Sequence, residues 1–343
     1  MASRLAVRHC GDGVRLLTPR DIRTLAERYG VRPVKSLGQN FVVDPGTVRR
    51  IVRLAGDLPV DDDAPPSERS PAVRSPAASA SPVRSGTTTG QATPGDEESG
   101  HQRALGGHHV IEVGPGLGSL TLGLLEAGWR VTAIEIDRIL AGALTEIVEE
   151  QAGGKAAGLS VVHADALAVR DVPGPPPCAL IANLPYNVSV PVILHAMATF
   201  TGLRGALVMV QSEVADRLVA GPGGRAYGVP SAKLAWYATA RRVGSVGRAA
   251  FWPVPRVDSA LVALVRREAP PTTASRETVF AVIDAAFSQR RKMLRSALAA
   301  WAGGPERAVA VLAAAGIDPT ARGDRLTVAQ FARIAEADAE VGR

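Results

Sequence analysis

The stretch Ile-Ala-Asn-Leu-Pro-Tyr-Asn, Ile181 to Asn187, sets an amide, a backbone-locking ring and a flat aromatic side by side where an apolar run opens into a loop. An amide side chain offers an acceptor oxygen beside two N–H donors, and a proline restricts the direction of the peptide before it. Upstream, Val-Ile-Glu-Val-Gly-Pro-Gly-Leu-Gly-Ser-Leu joins an expected strand to an expected helix through Gly114, Gly116 and Gly118. Glycines at such a turn let the main chain approach a ligand closely. Glu135, 21 residues after Gly114 at the end of the next apolar run, puts a carboxylate where ribose hydroxyls are gripped in nucleoside-cofactor sites.

The spacing chooses between cofactors. A dinucleotide fingerprint, G-x-G-x-x-G, wants its third glycine at position 119, where this chain has Ser119, so no pyrophosphate seat is indicated. Glu112, just before the turn, is badly placed beside a diphosphate and well placed beside a cation, because opposite charges attract strongly in a partly desolvated pocket. S-adenosylmethionine carries both an ammonium and a sulfonium and fits that requirement. Asp165, in Val-Val-His-Ala-Asp-Ala-Leu, follows the third apolar run on the same expected sheet edge and offers an acceptor for an adenine amine.

The elements that must hold these groups are legible as a rhythm. Short apolar runs alternate with helical patterns from His108 to Gln211, which predicts βαβ units and a parallel sheet with helices on both faces. Ahead of them, Thr18 with Pro19 and Asp44 with Pro45 each read as an N-cap followed by a first-turn proline, and Gly30 closes the first of the two helices. Val-Asp-Ser-Ala-Leu-Val-Ala-Leu-Val, from Val257, reads as a late strand apolar on both faces. Helical patterns occupy the rest from Ser275. The expected organisation is a tail over 1–16, an α/β domain over 17–269 and a small helical domain over 270–343. Residues 61–105 are Pro, Ser, Ala, Thr and Gly with almost no large apolar side chain, an insertion unable to bury enough surface to offset its ordering entropy.

Composition narrows the partners. The net charge is +6, yet the 12 basic and 4 acidic residues between Ser231 and Ala300 give that stretch +8, leaving −2 for the remainder. Concentrated Lys and Arg suit a polyanion, since neutralised phosphates release counterions. Two cysteines, Cys10 and Cys178, far apart and outside any C-x-x-C, support neither a disulfide framework nor a zinc site, and no metal is expected. No run of 18 apolar residues and no signal-like core occur, so a soluble cytoplasmic protein with no membrane partner is expected.

Six stretches in order, Ser-Leu-Gly-Gln-Asn-Phe-Val-Val-Asp, Ile-Glu-Val-Gly-Pro-Gly-Leu-Gly-Ser-Leu-Thr, Ala-Ile-Glu-Ile-Asp-Arg, His-Ala-Asp-Ala-Leu, Ile-Ala-Asn-Leu-Pro-Tyr-Asn and Phe-Trp-Pro-Val-Pro-Arg-Val-Asp-Ser-Ala, resemble the ribosomal RNA adenine dimethyltransferases. The closing Ala-Phe-Ser-Gln-Arg-Arg-Lys-Met-Leu-Arg-Ser-Ala-Leu looks like the version that modifies two adjacent adenines near the 3′ end of small-subunit ribosomal RNA. The resemblance spans Leu17 to Ala300 around the insertion. It implies a Rossmann-like class I S-adenosylmethionine methyltransferase sheet with a small C-terminal helical domain. It also implies that Asn183 and the Leu184 carbonyl accept the two N–H of the target amine, that Pro185 turns that carbonyl inward, and that Tyr186 and Phe251 flank the extruded base. Asn40 and the backbone at Val42, in the loop beginning Gly38-Gln39, are then expected to touch the cofactor. Val42 stands where the family more often has leucine.

Arg290, Arg291, Lys292 and Arg295 fall within about two turns of one expected helix, and Arg217, Arg225 and Lys233 flank the loop Gly-Pro-Gly-Gly-Arg-Ala-Tyr-Gly. These are the expected RNA contacts, positioning and not specifying, on the RNA of an unfinished small subunit, with nothing demanding more than a monomer. Rival expectations are a large-subunit RNA dimethyltransferase of the macrolide-resistance type, a non-catalytic RNA-binding assembly factor on the same fold, and a nicotinamide-dependent oxidoreductase, which the glycine spacing disfavours.

Overall fold

The computed structural model describes residues 13–33, 38–60 and 107–342. The expected insertion 61–105 and most of the expected tail, 1–12, lie outside these residues. The described end of that tail already belongs to the body of the protein: Leu16 is buried, and the Arg15 amide donates to Gln151.

Local chemistry starts the two leading helices. In α1 (Pro19–Arg28) the Thr18 side chain accepts from the Asp21 amide while the Asp21 carboxylate accepts from the Thr18 amide, a reciprocal cap. In α2 (Pro45–Gly56) Asp44 accepts from Gly46 and Thr47. Between them Phe41–Val42 forms a short strand, β1.

The main sheet assembles β2 (His109–Val113), β3 (Arg130–Glu135), β4 (Leu159–His163), β5 (Ala179–Asn183), β6 (Gly205–Gln211), β7 (Ala238–Val246) and β9 (Ser259–Arg266), in the order β4-β3-β2-β5-β6-β9-β7. A second, two-stranded sheet pairs β1 with β8 (Phe251–Trp252). The helices α3 (Ser119–Glu126), α4 (Arg138–Ala152) and α5 (Ser189–Thr199) cross between the parallel strands. After β6 come α6 (Ser212–Val219) and α7 (Val229–Leu234).

The parallel reading holds for β4, β3, β2, β5 and β6, and needs correcting beyond them. β9 runs antiparallel to β6, and β7 antiparallel to β9. The chain returns from β7 to β9 without a crossover helix, and such a return gives opposed strands. β9 was legible because, as an inner strand, it is buried on both faces. β7 was not, because it is the edge strand, and Arg241 and Arg242 interrupt its apolar pattern.

Strand residues alternate between two apolar layers: Val110, Val131 and Ile181 pack with α1 to α4, while Ile111, Leu180 and Val208 pack with α5 and α6. The C-terminal α8 (Arg276–Ser288), α9 (Leu294–Ala297), α10 (Ala299–Ala302), α11 (Pro305–Ala314) and α12 (Val328–Val341) close a third core. Tyr227 and Ala232 reach into that core from the α/β side, and the Tyr227 hydroxyl donates to the Leu326 carbonyl at 2.7 Å.

Candidate active site

Because β2 lies between β3 and β5, the carboxyl ends of three neighbouring strands carry Glu112, Glu135 and Asn183 to one edge of the sheet. That is the edge where open α/β sheets take ligands, at the point where strand order reverses. All three residues line one cleft, with Gly114 and Gly116 on one side and Asn40 on the other.

The glycine loop is shaped by what presses on it. Gly116 has φ +59°, and a Cβ there would stand 2.7 Å from the Phe41 ring, so only glycine fits between the loop and β1. Gly38, at φ +63°, approaches the Tyr186 amide and the Pro185 ring in the same way. The two loops bordering the cleft therefore lie directly on one another. Ser119 donates its hydroxyl to the Val42 carbonyl at 2.6 Å, pinning β1 to the start of α3. Its sequence signal was the missing third glycine, which served only to exclude a dinucleotide; its tie to β1 became visible with the fold.

The electrostatics of the cleft are one-sided. Glu112 is 1% exposed and Glu135 4% exposed, and no described residue lining the cleft is cationic. Glu112 has the Thr121 hydroxyl as donor at 2.6 Å, and burial pushes its carboxyl up to about 8, with the nearby Glu135 charge acting in the same direction. Burial also raises Glu135, against the pull of the Gly116 and Asp137 amides, which donate to its two oxygens at 3.2 and 3.0 Å. Two desolvated carboxyl groups without a partner charge make a seat for a small cation, whose charge favours their ionised forms. A sulfonium and an ammonium on one nucleoside meet that demand, and the free lone pairs of Glu135 remain for ribose hydroxyls. Among the described residues no cluster of metal-ligating side chains occurs.

Asn183 is oriented by its neighbour loop. Its Nδ2 donates to the Asn40 carbonyl at 2.9 Å, which leaves Oδ1 as the free acceptor of the amide. Leu184 buries its side chain (1% exposed) and spends its amide on the Met209 carbonyl at 3.1 Å. Pro185 lines the cleft. Tyr186 stands half-buried beside it, its hydroxyl 3.0 Å from that of Ser259. Val42 lines the cleft, but its carbonyl is already engaged by Ser119.

Other expected site residues are elsewhere. Phe251, expected to flank the base, is 2% exposed and belongs to the apolar cluster that holds Phe41 and Val42, its backbone paired with Val42. Its neighbour Trp252 is the one that reaches outward and stacks on Phe41, ring centres 6.1 Å apart. Asp165 is exposed and outside the cleft lining, one oxygen accepting from the Leu167 amide at 2.9 Å as a turn cap.

The basic residues also differ from expectation. Arg290, Arg291, Lys292 and Arg295 do not share one helix: α8 stops at Ser288, and the chain turns before α9. The break buries Leu294, whose amide bonds the Ala321 carbonyl at 2.8 Å, so three cations project from a turn and Arg295 from the short helix after it. Arg290 lies 3.6 Å from Asp324 and also donates to the Arg225 carbonyl at 2.9 Å. Lys233 pairs with Asp284 at 2.7 Å, and Arg217 pairs with Glu213. Arg291 and Lys292 are exposed and unpaired among the described residues.

The chain is similar to known proteins over most of its length. The family model described as ribosomal RNA adenine dimethylase matches residues 104–340. A "Ribosomal RNA small subunit methyltransferase A" of Thermobifida fusca (strain YX) is 54% identical over 322 residues, 94% of this chain and 96% of the relative. Among solved structures, a dimethyladenosine transferase from Plasmodium falciparum shares the fold with a TM-score of 0.56 at 22% identity, covering 68% of this chain and 90% of that one. The 23S rRNA methyltransferase ErmE does so with a TM-score of 0.53 at 23% identity, covering 87% and 99%. With the cleft assembled as described, the extent of the match to the family model settles the assignment: this chain belongs to the ribosomal RNA adenine dimethylase family.

Proposed function

We propose that the protein is the enzyme that dimethylates the exocyclic amines of two adjacent adenines near the 3′ end of small-subunit ribosomal RNA. The observation that carries the chemistry is the hydrogen bond from Asn183 Nδ2 to the Asn40 carbonyl, because it fixes which end of the amide is left to meet a substrate. Small-subunit RNA is favoured over large-subunit RNA by the relative at 54% identity, against a fold likeness at 23% to the large-subunit enzyme.

The cofactor is S-adenosylmethionine, which supplies an electrophilic methyl on a sulfonium when bound. Glu112 offers charge to its cationic portion, and Glu135 grips the ribose. The amine nitrogen of adenine is a poor nucleophile because its lone pair is delocalised into the ring. Asn183 Oδ1 and the Leu184 carbonyl each accept one N–H, which draws the amine toward tetrahedral geometry and aims its lone pair at the methyl. Pro185 holds the Leu184 carbonyl in place, and Tyr186, tethered through Ser259, gives the extruded base a face to stack on. The activated methyl needs no strong base, and the proton departs to water after transfer. Asn40 serves by orienting Asn183.

Arg291 and Lys292, with Arg295, Arg225 and the partly neutralised Arg290, Lys233 and Arg217, position RNA phosphates. The reading extends to a boundary between the methyltransferase domain and a helical RNA-binding domain near Pro270, and to a monomer working in the cytoplasm. No helix among the described residues is long and apolar enough to cross a membrane.

The test is incubation of the purified protein with under-methylated small subunits and labelled S-adenosylmethionine, followed by nucleoside analysis. Label in N6,N6-dimethyladenosine of small-subunit RNA is expected; label confined to cytosine, to protein or to large-subunit RNA overturns the reading.

A further inference from the structure

The segment between β8 and β9 is held at both ends by elements that border the cleft. On the incoming side, β8 pairs with β1, Trp252 stacks on Phe41 of the cleft wall, and the Ala250 carbonyl accepts from Val43. On the outgoing side, the Asp258 carbonyl accepts from Ser212, and Ser259 meets the hydroxyl of Tyr186 beside the Asn183 loop. The tip is therefore tied to both loops that frame the site.

What it presents is unusual for a solvated loop. Val254 is 66% exposed and Val257 45% exposed, among the most exposed large apolar side chains described. Pro253 and Pro255 lock the backbone on both sides of Val254, and Pro255 is buried, so the valines cannot fold inward onto it without moving the anchors. Arg256, exposed and without an ion pair among the described residues, lies between Val254 and Val257, and Arg248 approaches Asp258 at 3.7 Å.

A convex apolar tip flanked by cations is too small to bury what a stable protein interface needs, about 800 Å² per partner. It suits a nucleic-acid stack. Apolar side chains enter base steps as wedges, and extruding a base leaves an empty step that such a wedge can fill. We propose that Val254 and Val257 form a wedge that fills the gap left in the RNA when the target adenine turns into the cleft, with Arg256 on the adjoining phosphates. This rests on the methyltransferase reading above and adds to it the means by which the base is held out.

The experiment uses the full chain and reconstituted small subunits of two kinds. One has intact RNA, assayed for methylation as it stands and, in a separate preparation with 2-aminopurine in place of the target adenine, for base extrusion by fluorescence alone, because that base has no 6-amine to methylate. The other has abasic neighbours at the target, so that no stack has to be opened. The double variant Val254→Ser/Val257→Ser is expected to lose about tenfold or more in kcat/KM on the intact particle, with a matching loss of 2-aminopurine fluorescence gain, and to stay within about twofold of wild type on the abasic particle. Its affinity for S-adenosylmethionine stays unchanged, and Val254→Leu/Val257→Leu restores the intact rate. Wild-type rates of the serine variant on intact particles overturn the wedge, and so does an equal loss on both particles. Failure of the wild type to methylate either particle overturns instead the methyltransferase reading on which the wedge rests.

Discussion

The cleft and the C-terminal basic surface solve opposite electrostatic problems by opposite means. The cleft buries Glu112 and Glu135 and brings no described cation to them, so its field is concentrated, weakly screened and aimed at one small ligand. The basic surface leaves Arg291, Lys292 and Arg295 in solvent and sets acids against Arg290 and Lys233. Each exposed charge there is worth little singly and is screened by salt. On the proposed function, the difference is that of the two ligands. A small cation is recognised by a few desolvated groups at fixed positions, whereas a polyanion is held by many weak contacts that tolerate motion.

The contrast breaks hardest at the oriented amide. Asn183→Ala removes an acceptor that acts in a water-poor site, and a loss of about 10³-fold in kcat/KM is expected, with S-adenosylmethionine affinity within about threefold. A rate near wild type in labelled-methyl assays defeats the mechanism. On the basic side, Arg290→Glu/Arg291→Glu is expected to weaken binding to small subunits by about 10- to 100-fold at moderate salt and to flatten the salt dependence, leaving cofactor affinity intact. Of the single variants, Arg291→Glu is the more damaging, because Arg290 already faces Asp324. Equal loss of RNA and cofactor binding erases the distinction between the two regions.

Smaller effects sharpen it. Gly116→Ala forces a Cβ against Phe41 at a positive φ, and calorimetric titration is expected to give cofactor binding weaker by about tenfold, with little change in RNA affinity. The mildest effect is in pH. Glu112 keeps its proton in the native chain up to about 8, against an ordinary value of 4.5, so the native state binds more protons across that window. Stability of the ligand-free protein therefore falls as pH rises from 4.5 toward 8, with Glu135 acting in the same direction. A cation favours the carboxylate, so cofactor binding expels the proton and tightens as pH rises through the same range. In Glu112→Gln both trends are expected to shrink, read as melting temperature against pH and as buffer-dependent heats of binding.

Much of the fold was written locally. Thr18, Pro19, Asp44 and Pro45 start helices through hydrogen bonds spanning three residues, and the apolar rhythm placed β2 to β6 because a strand buried on both faces has nothing polar to hide. The site was legible in kind: the glycine spacing, Glu112, Glu135 and Asn183 all converge on the cleft. What was not legible is of another sort. Arg290 to Arg295 has helix-favouring composition, yet burial of Leu294 and its bond to Ala321 break the helix there. Phe251 pairs through its backbone with Val42 and is buried, a placement that its neighbours in the chain do not show. Asp165 lies exposed with one oxygen accepting from the Leu167 amide of its own turn, a local bond that its spacing from the glycine loop does not reveal.

The amino-acid sequence alone determined which chemistry is present: an acceptor amide before a proline, a glycine turn without a pyrophosphate seat, two carboxylates near it, and a cationic C-terminal third. Only the tertiary structure decided which atoms are free to act. It spent Asn183 Nδ2 on Asn40, the Val42 carbonyl on Ser119 and the Lys233 charge on Asp284, partners separated from them by 143, 77 and 51 residues. Spacing within a motif is set by bonds a few residues long, while the side of an amide that faces a substrate is set by whatever the fold has packed against its other side.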